Sequence, residues 1–111
     1  MLRIVTLNLN GIRSATKKGF LRWLEGHGAD IVCVQELKAH ETDMDESMRF
    51  PAGMTGVFHP AQRRGYSGVA VYCRRPPDRI VTGLGIEDID AEGRFLQVDF
   101  GELSVVSLYL P

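Results

Sequence analysis

The run Leu-Arg-Ile-Val-Thr-Leu-Asn-Leu from Leu2 to Leu9 reads as a first strand, stopped by the turn-forming pair Asn10-Gly11. From Ala15 to Gly26 the period changes. Phe20, Leu21, Trp23 and Leu24 lie among Lys17, Lys18, Arg22 and Glu25, the pattern of an amphipathic helix ended by Gly26 and Gly28. Ile31 to Gln35 is apolar without a break and predicts a strand. A strand, a helix and a strand in this order make a βαβ unit, whose two strands run parallel as neighbours with a right-handed connection.

Residues Thr42 to Phe50 are acidic and form a surface excursion with a short helix, where Thr42 and Asp45 have the spacing of a capping box. After Pro51 come short strands at Thr55–His59, Val69–Arg74, Arg79–Thr82, Arg94–Phe100 and Leu103–Tyr109, separated by Gly- and Pro-rich turns. The last two are joined by Gly101-Glu102, which suits a type II′ hairpin. Together these elements predict an α/β fold with a mixed sheet and helix packed on one face. The final strand runs apolar to Leu110-Pro111, which would leave sheet surface uncovered, so the expectation is a truncated domain.

Composition narrows the class without naming a function. With 44% hydrophobic and 24% charged residues in 111, the chain suits one globular unit and neither a disordered nor a collagenous one. The net charge of -1 conceals segregation, because residues 41–48 carry four acids while 49–81 carry six basic side chains against one acidic. A basic face toward a polyanion is therefore compatible with a near-neutral total. Cys33 and Cys73 sit in predicted strands, read as core residues, and make neither a metal motif nor a disulfide framework. The first ten residues resemble neither a signal peptide nor a membrane span, so the expected location is cytoplasmic with no membrane partner.

Candidate chemistry gathers at one predicted edge. Ligands of open sheets collect beyond the carboxyl ends of parallel strands, and the βαβ unit brings Asn8 and Glu36 to that position. Alone, Asn10 before Gly11 is an ordinary turn residue and Glu36 an ordinary solvated strand-end carboxylate. Asn8 weighs more, since it interrupts an apolar strand and needs partners for its amide. A carboxylate there suits a hard cation such as Mg²⁺, which takes one or two carboxylates plus waters and substrate phosphate. Asn10 is expected on the same side as Asn8. Arg13, Lys38 and the loop Arg63-Arg64-Gly65-Tyr66-Ser67-Gly68 add the cations, backbone amides and aromatic ring that grip phosphates and bases, though a solvated basic turn has the same composition. Tyr109, at the end of the last strand, either reaches this edge or anchors the core.

Five segments taken in order resemble the exodeoxyribonuclease III family of apurinic/apyrimidinic (AP) endonucleases. They are Asn8-Leu9-Asn10-Gly11-Ile12-Arg13, Val34-Gln35-Glu36-Leu37-Lys38, Gly65-Tyr66-Ser67-Gly68-Val69-Ala70, Glu92-Gly93-Arg94-Phe95 and Ser107-Leu108-Tyr109-Leu110-Pro111. The resemblance implies that residues 1–111 are the N-terminal portion of a single endonuclease/exonuclease/phosphatase domain, half of a four-layer α/β sandwich. It implies a Mg²⁺- or Mn²⁺-dependent phosphodiesterase on duplex DNA that incises 5′ to abasic sites and trims blocked 3′ ends. By position, Glu36, Asn8 and Asn10 would serve the metal, Tyr109 and Asn8 the chemistry, and Arg13, Lys38, Tyr66 and Ser67 the DNA. Leu37 departs from the family, where many members have Thr.

Family members continue for more than this length again, and the further stretch holds the groups that orient water and protonate the leaving group. His27, His40 and His59 do not stand in for them, so the expectation is half a site with little activity alone, and a monomer once complete. Two alternatives remain at this point. One is another phosphodiesterase or phosphatase of the superfamily, and the other is a non-catalytic DNA-binding fragment.

Overall fold

The computed structural model describes residues 1–110, so Pro111, which closes the last motif, lies outside the described residues. The chain runs β1 (Ile4–Asn8), α1 (Ile12–Lys17), α2 (Phe20–His27), β2 (Ile31–Gln35), a 3₁₀ turn at Glu41–Asp43, α3 (Glu46–Arg49), another at Pro51–Gly53, β3 (Thr55–His59), β4 (Val69–Cys73), β5 (Arg79–Thr82), α4 (Glu87–Asp90), β6 (Phe95–Phe100) and β7 (Leu103–Leu108). The helix expected over residues 15–26 is two helices. Gly19, at φ 102°, opens α2 and breaks the run, a conformation glycine adopts without a Cβ penalty.

Two sheets form instead of one. The first is mixed, in the order β1-β2-β4-β3, with β1 parallel to β2 and the other pairs antiparallel; the second is an antiparallel β5-β6-β7 meander. The physical reason is legible in β2 and β4, where every residue is buried, because each strand has a packed layer on both faces. Val32, Val34, Ala70 and Tyr72 face a core completed by Ile12, Phe20 and Leu24 of the helices. Ile31, Cys33, Val69, Val71 and Cys73 meet Leu96, Val98 and Val105 of the second sheet. Each such aliphatic side chain taken from water contributes on the order of 2 kcal/mol. Both cysteines are buried and free, and burial pushes each thiol up to about 11, as expected of inert core residues.

Local expectations fared unevenly. Gly101 has φ 61° between paired Phe100 and Leu103 while Glu102 stays at negative φ, which suits the II′ hairpin. The capping box is not Thr42–Asp45. His40 and Asp43 form it around the 3₁₀ turn, and Asp45 separately caps α3 by accepting from the Met48 amide at 3.0 Å. Among the described residues no helix is long and apolar enough to cross a membrane.

Candidate functional site

The parallel pairing of β1 and β2 sets Asn8 opposite Gln35, one residue before Glu36. Beyond the strand, residues 36–38 are stitched into place from two sides. The carbonyls of Glu36 and Leu37 accept from the amides of Gly11 and Ile12 at 2.8 and 2.9 Å, while the Leu37 and Lys38 amides donate to Gly68 and Ser67 at 3.1 and 2.8 Å. Gly68 is required there: at φ 90°, any Cβ would lie 3.1 Å from that of Leu37.

This bracing holds an unusual backbone. Among the described residues five non-glycines have left-handed φ, and four of them, Asn10, Glu36, Lys38 and Ser67, cluster at this rim. Each costs on the order of 1–3 kcal/mol, and such outliers concentrate where a site must be aimed.

The side chains meet there. The Asn8 amide Nδ2 donates to Glu36 Oε1 at 2.8 Å, and Asn8 Oδ1 accepts from the Asn10 backbone at 2.9 Å, an arrangement that fixes which end of the Asn8 amide faces the carboxylate. Lys38 Nζ donates to Asn10 Oδ1 at 2.7 Å and lies 3.4 Å from Glu36 Oε2. The Asn8 amide holds the Glu36 carboxyl below the usual carboxylate range; partial burial opposes this, and Tyr109 and Lys38 add further support to the charged form. The Tyr109 phenol is itself held protonated above its ordinary range, by desolvation first and then by its hydrogen bond to Glu36 and that carboxylate's charge.

A second cluster adjoins the first. Arg94 donates to Glu92 Oε2 at 2.6 Å and to the Tyr66 hydroxyl at 3.0 Å, and its guanidinium lies 5.9 and 5.3 Å from the centres of the Tyr66 and Tyr109 rings. Tyr66 Oη in turn donates to Glu92 Oε2 at 3.1 Å. Gly93 permits this, since a Cβ there would fall 2.6 Å from the Ala61 nitrogen. Arg63 lies over the Tyr66 ring at 5.6 Å, whereas Arg64 is committed to Asp43 at 2.7 Å. Arg13 is exposed on α1. Beneath the rim, Gln35 Nε2 donates to Thr6 Oγ1 and Ser107 Oγ at 3.0 and 3.2 Å, joining the two sheets.

Of the sequence-predicted groups, Asn8, Asn10, Glu36, Lys38, Tyr66, Ser67 and Tyr109 therefore come together here, while Arg13 lies on α1. Ser67 is only 3% exposed, and its hydroxyl is buried without a hydrogen-bond partner among the described residues. Asn8 Oδ1 and Asn10 Oδ1 are engaged by a backbone N–H and an ammonium, so in this arrangement both amides orient their neighbours. Glu92, Arg94, Gln35 and Ser107 stood in the quoted motifs without a role. Arg94 directly after Glu-Gly at a strand start was the available signal.

The donor set can be tested against a cation. Among the described residues no three His, Cys, Asp or Glu side chains gather as a multi-ligand cage. Of the two rim carboxylates, Glu92 is taken up by Arg94 and Tyr66, which leaves Glu36, its side chain 20% exposed. That suits an ion of the Mg²⁺ type, which keeps most of its waters and takes few protein ligands.

Comparison with known proteins agrees with the geometry. The model of the endonuclease/exonuclease/phosphatase family matches residues 5–110. An exodeoxyribonuclease of Bacillus subtilis (strain 168) is 32% identical over 111 residues, covering 99% of this chain and 43% of that protein. A DNA-(apurinic or apyrimidinic site) endonuclease of Dictyostelium discoideum is 29% identical across 99% of the chain and 30% of its own length. The solved AP endonuclease of Archaeoglobus fulgidus superposes with a TM-score of 0.84 at 29% identity, over 100% of this chain and 42% of that one. The chain thus spans less than half the length of the relatives it matches.

Proposed function

This chain belongs to the endonuclease/exonuclease/phosphatase family, and from that premise we propose that it supplies the ion-binding half-site of a DNA phosphodiesterase of the exodeoxyribonuclease III type. The activity is cleavage 5′ to abasic sites and removal of blocked 3′ ends in base-excision repair, with Mg²⁺ or Mn²⁺. One observation carries this reading: Asn8 and Glu36, 28 positions apart, are joined by a 2.8 Å hydrogen bond at the carboxyl edge of two parallel strands.

Each residue has a separable task. Glu36 is the protein ligand of the ion, which when bound neutralises charge developing on the phosphodiester oxygens, an effect worth several kcal/mol. Asn8 keeps the Glu36 carboxylate charged and fixed in direction, and Asn10 holds the Asn8 amide through its backbone. Tyr109, protonated throughout the neutral range and set beside Glu36, offers a hydrogen bond from its hydroxyl to a phosphate oxygen. Tyr66 and Arg63 offer a cation-backed ring beside the DNA backbone, with Lys38 and the exposed Arg13 as further positive charges. Completion of the chemistry requires groups that orient water and protonate the leaving oxygen, and no histidine here has that setting, so residues 1–111 alone are expected to incise poorly.

The test is incision of a duplex carrying one abasic site by the full-length gene product in Mg²⁺. Glu36→Gln keeps the size and the Asn8 hydrogen bond but removes the charge, and is expected to lower the rate at least about a hundredfold. Equal rates for both proteins would remove Glu36 from the ion site and overturn the reading.

A further inference from the structure

The Glu36 carboxylate already has a cation beside it. Oε1 accepts from the Asn8 amide and the Tyr109 hydroxyl also bears on this carboxylate, while Lys38 Nζ stands 3.4 Å from Oε2, where an ion would compete with it. The ammonium is also braced by Asn10 Oδ1 at 2.7 Å, and its backbone is pinned by the bond to Ser67 in a left-handed conformation at φ 52°. A strained backbone spent on placing one flexible side chain suggests that the placement has a use.

We propose that Lys38 is a resident counter-cation of Glu36 that the divalent ion displaces, so that Lys38 sets the site's affinity for that ion and is freed toward the substrate phosphate when the ion arrives. The inference rests on the ion-binding role of Glu36 given above. Its physical basis is competition: an ammonium at Oε2 and a divalent ion at the same oxygen repel one another, and only one can be accommodated. Lysine suits such an exchange, being a compact charge on a flexible four-carbon stem whose side chain is 38% exposed here. Arg94 is the contrast. Its guanidinium is held by Glu92, Tyr66 and two aromatic faces, and its side chain is only 12% exposed, so it has nowhere to move. Displacement also reconciles two roles for Lys38, because the same ammonium neutralises Glu36 before the ion binds and faces a phosphodiester afterwards.

The experiment is a calorimetric titration of Mn²⁺ into the full-length gene product without DNA, for the wild type, Lys38→Met, Lys38→Gln, Lys38→Arg and Glu36→Gln. Neutralising Lys38 with either Met or Gln is expected to tighten Mn²⁺ binding about tenfold, while Lys38→Arg stays within about threefold of wild type. Glu36→Gln is expected to lose the binding. If Glu36→Gln abolishes binding but both neutral variants bind no more tightly than wild type, the role of Lys38 is overturned and the ion site stands. If Glu36→Gln binds as wild type does, the ion site itself falls, and this inference with it.

Discussion

Two carboxylates, Glu36 and Glu92, share one rim of this molecule, and their partners give them different chemistry. Glu92 is bound by a guanidinium through two hydrogen bonds and by a tyrosine hydroxyl, a fixed arrangement that positions two aromatic rings. Glu36 has a neutral amide on one oxygen and a lysine ammonium near the other. Both are kept charged below the ordinary carboxylate range, Glu92 by Arg94 first and Glu36 by Asn8 first. The lesson is that a depressed pKa does not identify an ion ligand. What distinguishes Glu36 is that its charge is stabilised chiefly by a group without charge, with Lys38 a lesser contributor that an ion can replace.

Substitutions can break that contrast in graded fashion. The largest effect after loss of the Glu36 charge is expected from Asn8→Ala, which leaves Oε1 without its donor. Removal of an outer partner of a metal ligand costs about 10–100-fold in ion affinity or activity, and incision kinetics at saturating and limiting Mg²⁺ would measure it. Arg94→Met is expected to be milder, lowering kcat/KM roughly tenfold by loosening Tyr66 and Tyr109 while leaving Mn²⁺ affinity near wild type. An Mn²⁺ affinity that fell as far in Arg94→Met as in Asn8→Ala would erase the distinction between the clusters.

The smallest effect concerns acid stability. Asp43, Asp45 and Asp99 are held low as well, by backbone or hydroxyl hydrogen bonds that favour their charged forms. Because these folded-state values lie below the unfolded ones, their contribution is present above the ordinary carboxylate range and disappears as pH falls through the depressed values. Melting temperatures are therefore expected to hold from neutrality down to the ordinary range and then decline. The gap between wild type and Asn8→Ala should narrow over the same fall, since protonating Glu36 removes what Asn8 stabilises. A gap that widens in acid would contradict the assigned source of the shift.

How much of this was legible in the sequence depended on the element. The strand Ile31–Gln35 was read with its observed bounds because burial on both faces leaves an unbroken apolar run. The split into two sheets was hidden, since inward residues such as Leu96, Val98 and Val105 announce a buried face without saying what covers it. Gly19 hid the helix break in the same way, because helical spacing tolerates a glycine until its φ is known. At the rim, Asn8 and Glu36 were readable from topology, as their strands are parallel neighbours. The burial of Ser67 and the left-handed turns at Glu36 and Lys38 were not, because they follow from hydrogen bonds between segments some 30 residues apart.

The central claim is that Glu36 is where a divalent ion binds, and paramagnetic broadening by Mn²⁺ in the isotope-labelled full-length gene product tests it most directly. The acidic stretches at Glu41–Glu46 and Glu87–Asp90 offer competing carboxylates with no comparable partner in Asn8. Substoichiometric Mn²⁺ should first erase amide signals around Asn8, Glu36, Leu37 and Tyr109, and Glu36→Gln should restore them. Broadening that begins in either acidic stretch and is indifferent to Glu36→Gln would contradict the account.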